Sequence, residues 1–176
     1  MIIVSFAGGL AGDLVSAVID STDCFLLPNG KVNMFTYRKK LKQGATLTEE
    51  YKDEFVSTVS TIYQSIPSHD WEYHLQKKHT TLSIDVKDPE LYKFAAKRFI
   101  SLNQPGLVNK LFGINSIEEF VPILTDITKK HIAISSHVIY FDDIINGKLI
   151  EKLELITSTE LNTEFYNEWL KLQINR

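Results

Sequence analysis

The 176-residue chain predicts a layered α/β fold, with one mostly parallel sheet, helices on both of its faces and a single domain spanning 1–176. Three observations predict it. Ile2–Phe6 is a continuous apolar, β-branched run of the kind that fills a strand buried on both faces. It leads through the glycine-rich turn Ala7–Gly12 into Leu14, Val15, Val18 and Ile19 at helical spacing. Strand-like and helix-like segments then alternate to the end of the chain, without a repeat, a low-complexity tract or a linker. Finally, 44% hydrophobic and 23% charged residues are the proportions of an ordinary globular domain with a sizeable core.

After the opening helix, Cys24–Leu27 reads as a short strand, Asn29-Gly30 as its turn, and Val32–Tyr37 as its partner. Arg38–Lys42 is a basic run, which is usually a solvated face. Thr48–Ile66 predicts a helix, with a capping box from Thr46 and Glu49, an apolar stripe Phe55, Val59, Ile62 and Ile66, and Pro67 as its stop. Thr80–Val86 alternates as a strand. Asp88-Pro89 opens a helix carrying Leu91, Phe94, Ala95 and Arg98, which ends near Gln104-Pro105-Gly106. Val108–Thr128 predicts helix in pieces, with a capping box from Ser116 and Glu119. One or two strands fall within His131–Phe141, Asp142–Gly147 forms a turn, and helices begin at Leu149 and at Leu161.

Composition narrows the function. A formal charge of −3 gives no global field for nucleic acid or for an acidic membrane surface. No apolar run reaches membrane-spanning length, and no charged leader precedes Ile2, because the first basic residue is Lys31. With the lone Cys24, which its apolar neighbours predict to be buried, this makes a cytoplasmic location the expectation. His69, His74 and His79 recur at intervals of five, which suits neither one helical face nor one strand face, so no metal site is expected from them. One of them is suited to act as a general base.

The chemistry concentrates at the glycine turn. A strand, a side-chain-poor turn and a helix present free amides and the positive end of a helix dipole at the carboxyl edge of a sheet, the common seat of a nucleotide phosphate. Gly8, Gly9, Leu10, Ala11, Gly12 and Asp13 are the residues that would bind it. The loop departs from G-x-x-x-x-G-K-S/T, having Ala7 in the first glycine position, Asp13 in place of the lysine and Leu14 in place of the hydroxyl. It departs from G-x-G-x-x-G at Ala7, and no acidic residue follows at a second strand end. A carboxylate in the lysine's place makes ordinary magnesium-nucleotide hydrolysis unfavourable. The competing reading is a turn whose glycines serve close helix–strand packing, with Asp13 complementing the helix dipole.

Three segments together resemble the sulfotransferase-like branch of the P-loop proteins, including its small phage and marine-microbe members. They are Ile2–Asp13; Ile84–Pro89, where a strand ends in a basic residue, one further residue and proline; and Val138–Ile145, a late strand followed by an aromatic, acidic, acidic, aliphatic turn. The closing Tyr166, Trp169 and Leu170 also suit that family. The resemblance implies a P-loop NTPase-like fold and sulfuryl transfer from 3′-phosphoadenylyl sulfate to a hydroxyl or amine. The first loop would hold the phosphosulfate, and Lys87 the second phosphate. Ala95 stands where the family's helix serine is expected, so Arg98 or Ser101 would compensate. His74 or His79 would deprotonate the acceptor. The alternatives are a non-catalytic binding or assembly protein on the same fold, a nucleotide kinase relative, and a Rossmann-type enzyme.

Overall fold

A computed structural model describes residues 1–20, 23–34, 47–102 and 106–174, apart from the side chains of 107, 108 and 174. The predicted basic run 38–42, the predicted cap at 46, the strand residues 35–37 and the helix end at 104–105 lie outside the described residues. Four strands, β1 (Ile2–Ser5), β4 (Ser65–Ser68), β5 (Thr81–Asp85) and β6 (His137–Tyr140), form one parallel sheet in the order β4-β1-β5-β6. Two more, β2 (Cys24–Leu26) and β3 (Val32–Met34), pair as a separate antiparallel hairpin around the predicted turn.

Helices flank the sheet: α1 (Gly12–Ile19), α2 (Glu49–Val59), α3 (Trp71–Lys77), α4 (Glu90–Leu102), α5 (Leu107–Phe112), α6 (Ile117–Ala133), α7 (Phe141–Ile145), α8 (Leu149–Glu154) and α9 (Thr163–Ile174). They lie on both faces. Ser65, in register with Ile2, bonds Ser16 of α1, whereas Ser5, on the opposite side of the pleat, bonds His131 of α6. Seven of the eight α1 residues, all but Asp13, are buried, which is why this helix reads as apolar almost all round. The core continues into α9, where the fully buried Trp169 donates its indole N–H to the Gly30 carbonyl of the hairpin at 3.1 Å.

Several expectations are corrected. The helix predicted over Thr48–Ile66 ends at Val59; Thr48 itself caps it by accepting the Tyr51 N–H, and Ser65–Ser68 is a strand. The apolar spacing misled because Ile66 belongs to a sheet face while Ile62 is exposed. Pro67 interrupts nothing. Ile2 donates to Gln64 and Phe6 to Ser68, so the alternate position 67 faces outward from an edge strand, where a missing N–H is tolerated. The strand region predicted from His131 begins only at His137, because α6 continues through Ala133, and the turn predicted at Asp142 is the short α7. Cys24 is half-buried rather than enclosed, on a hairpin outside the main sheet. The cap predicted at Ser116 forms, its hydroxyl accepting the Glu119 N–H, while the Glu119 carboxylate turns to the Asn115 N–H.

Candidate functional site

In this strand order the chain leaves β1 toward β4 on one side and β5 stands on the other, so the carboxyl end of β1 borders a switch point, where open α/β sheets form their crevices. The loop after β1 fills it. Gly9 has φ +90° and Ala11 φ +62°, both left-handed, and Ala11 caps α1 without a side-chain hydrogen bond. The first-turn amides of α1 are of the kind that an α-helix leaves without an intrahelical acceptor.

The glycines of this loop stand in close quarters. A Cβ on Gly9 would stand 2.2 Å from the Ala95 carbonyl oxygen of α4, one on Gly12 2.0 Å from the Phe6 ring, and one on Gly8 2.4 Å from the Phe99 ring. The packing reading of the loop is supported at Gly9, where the neighbour is the α4 backbone, and at Gly12 against the buried Phe6 ring, whereas at Gly8 the neighbour is the outer edge of the half-buried Phe99 ring.

A cavity of about 270 Å³ lies there, lined by Gly8, Gly9, Ala11, Gly12 and Asp13 of the loop, Arg98, Phe99 and Leu102 of α4, Lys31 and Val32 of the hairpin, and Phe6 and His69 at the ends of β1 and β4. Arg98 is nine-tenths buried; its Nη1 donates to the Gly9 carbonyl at 3.0 Å, and its guanidinium lies 5.5 Å from the Trp169 ring. Lys31 donates from Nζ to the Leu102 carbonyl at 2.9 Å, closing the hairpin against the end of α4. His69 Nδ1 donates to the Phe6 carbonyl at 2.7 Å, and its ring lies tilted against the Phe6 ring at 4.5 Å between centroids.

Of the residues singled out from the sequence, five of the loop and Arg98 meet at this cavity. Leu10 does not, because its side chain is fully buried and its N–H bonds the Ala7 carbonyl. Ser101 donates to the Arg98 carbonyl on the exposed side of α4. Lys87 lies elsewhere, on a second hollow with Tyr140, Lys152, Leu155 and Ile156, its ammonium 3.9 Å from the Tyr140 ring and 3.8 Å from Asp143. The neighbouring Asp142 accepts the backbone N–H groups of Lys87 at 2.9 Å and Asp88 at 3.0 Å, which accounts for that carboxylate as a clamp between β5 and β6. His74 is buried against Ser68 and His79, away from the cavity wall.

Sequence reasoning included His69 among three candidate bases but preferred His74 or His79, and it missed Lys31 and Phe99. Reading Ser65–Ser68 as a strand would have put His69 at a carboxyl strand end beside the glycine turn; Lys31 and Phe99 carry no local signal, since the tertiary packing of hairpin and helix brings them in. Among the described residues no group of three or more His, Cys, Asp or Glu side chains is arranged to hold a metal ion, and no helix is long and apolar enough to cross a membrane. No protein-family model, no curated protein and no solved structure matches this chain.

Proposed function

We propose that the chain binds an anionic small molecule in the cavity over the glycine turn, and that its reaction, in line with the resemblance drawn from the three sequence segments, is sulfuryl transfer from 3′-phosphoadenylyl sulfate on a P-loop-like scaffold. The observation that carries the reading is the placement of the buried Arg98 and of Lys31 on the wall that also holds the amino end of α1. Two cations and a helix dipole in a partly dry hollow favour an anion far more than they would in bulk water. Backbone donors of the turn would stabilise the charge that develops on the transferred group. The S–O bond to the donor phosphate breaks as the acceptor oxygen or nitrogen bonds sulfur, and the acceptor proton passes to the imidazole on the cavity wall, His69. 3′-Phosphoadenosine 5′-phosphate leaves. His69 thus takes the role that the sequence gave to His74 or His79.

Titration with 3′-phosphoadenosine 5′-phosphate tests the reading. Saturable heat and a rise in melting temperature are expected at about millimolar ligand, both weakened in Lys31→Met and in Arg98→Met. No heat and no thermal shift from wild type would end it.

A second reading, a binding protein without catalysis, is favoured by Asp13, whose carboxylate lines the same cavity. Under this reading Asp13→Asn tightens anion binding several-fold by removing a like charge, and no sulfuryl transfer is detected in either protein.

A further inference from the structure

Trp169 reaches both cations of the cavity without lining it. Its side chain is the largest of the fully buried ones among the described residues. The indole N–H donates to the Gly30 carbonyl at 3.1 Å, which fixes one edge of the ring on the residue that precedes Lys31. The Arg98 guanidinium stands 5.5 Å from the ring centre, within reach of a cation–π contact. Through this one side chain α9 meets both the hairpin and α4.

The hairpin depends on such a tether. Among the described residues β2 and β3 pair only with each other, so the ladder of the main sheet does not set where their turn stands. Val32 and Met34 are buried in the core and seat β3. The turn before them is stiff. Gly30 N–H donates to the Leu27 carbonyl at 2.8 Å, Leu27 N–H to the Lys31 carbonyl at 2.9 Å, and Lys31 N–H to the Asn29 side chain at 3.1 Å. A bond at Gly30 therefore also fixes the root of the Lys31 side chain, whose ammonium donates to the Leu102 carbonyl of α4. A lysine held in advance gives up less rotamer freedom when an anion arrives.

We propose that Trp169 is the positioning residue of the cavity, holding Lys31 through Gly30 and flanking Arg98, so that both cations face one anion. This rests on the anion-binding part of the reading above and not on sulfuryl transfer. Trp169 touches no ligand; its contribution is preorganisation. The two contacts are separable, because Trp169→Phe removes the N–H that holds Gly30 and keeps an aromatic ring beside Arg98. The indole is also a reporter. An anion seated on Arg98 changes the electrostatic field at a ring 5.5 Å from that guanidinium.

Inorganic sulfate, titrated into the full chain by calorimetry and by fluorescence, tests the proposal. The chain has two tryptophans, and Trp71, which opens α3 and does not line the cavity, can be replaced to leave Trp169 as the one emitter. In Trp71→Phe the emission is expected to shift with the same midpoint as the heat, and the shift is expected to vanish in Arg98→Met. Trp169→Phe is expected to weaken sulfate binding about tenfold, the size of one lost charge-assisted bond. Adding Lys31→Met to it is expected to cost less than about twofold more, while Arg98→Met keeps its full cost in either background. A tryptophan that merely stabilises the fold would give additive losses. Additivity of Trp169→Phe with Lys31→Met would overturn the proposal, as would sulfate heat without a change in emission, and the emission decides alone if Trp169→Phe does not fold. A wild type that binds no sulfate has no anion seat to position and ends the proposal as well. Coupled sulfate binding without binding of 3′-phosphoadenosine 5′-phosphate ends the sulfuryl-transfer reading and leaves Trp169 in its role.

Discussion

Gly9 concentrates the constraints of the turn in one residue. Its φ of +90° disfavours any side chain, and the Ala95 carbonyl oxygen, 2.2 Å from where a Cβ would stand, is backbone that cannot rotate away. Gly9→Ala is therefore expected to destabilise the protein by about 2–4 kcal/mol, overpacking and left-handed strain adding together. Urea unfolding checks it, and Gly113→Ala is the control, since Gly113 also has positive φ but has nothing within 4 Å of its Cβ position. At this scale the sequence was legible as to residue type and illegible as to cause. A dense run of glycines announces close approach, yet whether a ligand or a helix approaches depends on Ala95 and Phe99, which lie more than eighty residues away in the chain.

At the scale of elements, the joint between β5 and β6 hangs on a side chain. Asp142 at the start of α7 accepts two backbone N–H groups from the turn that leads into α4. Asp142→Ala leaves both amides without that acceptor, and a loss of about 2–4 kcal/mol is expected in denaturant unfolding, because bonds to a charged acceptor each contribute about 1.5–3 kcal/mol. Asp142→Asn keeps one acceptor oxygen and is expected to lose less. The strands β1, β5 and β6 and the helices α1, α4 and α9 were all visible in the apolar periodicity. The misreading of residues 60–68 has a definite source, because Ile62 and Ile66 continue the helical spacing of Phe55 and Val59 although Ile62 faces solvent and Ile66 enters the sheet. Pro67 completed the error by imitating a helix stop. His69 was misplaced with it, since a histidine beyond a helix carries no meaning that a histidine at a carboxyl strand end does.

For the molecule as a whole, two enclosed imidazoles set the acid limit. His74 and His131 are both pushed down to about 3, in each case chiefly by burial and next by a neighbouring histidine. In the unfolded chain the same groups take up protons near pH 6.5, so between about pH 6.5 and about pH 3 the unfolded state binds protons that the folded state refuses. Stability is thus expected to be full above about pH 6.5 and to fall by several kcal/mol on acidification through that window. Urea midpoints between pH 7.5 and pH 4 measure the slope, and a midpoint unchanged over that range would contradict the burial of these rings.

The two rims of the parallel sheet differ in burial and in the presence of Pro67. On the β4 rim all four residues are buried and the outward position that Pro67 occupies supplies no N–H, so neither an open edge nor an unbroken ladder is offered to a further strand. The β6 rim, His137–Tyr140, has no proline and keeps its donors. The two flanks are therefore unequal as seats for a further strand: β4 is covered along its whole length and interrupted by an imino acid, whereas β6 is the more exposed of the two.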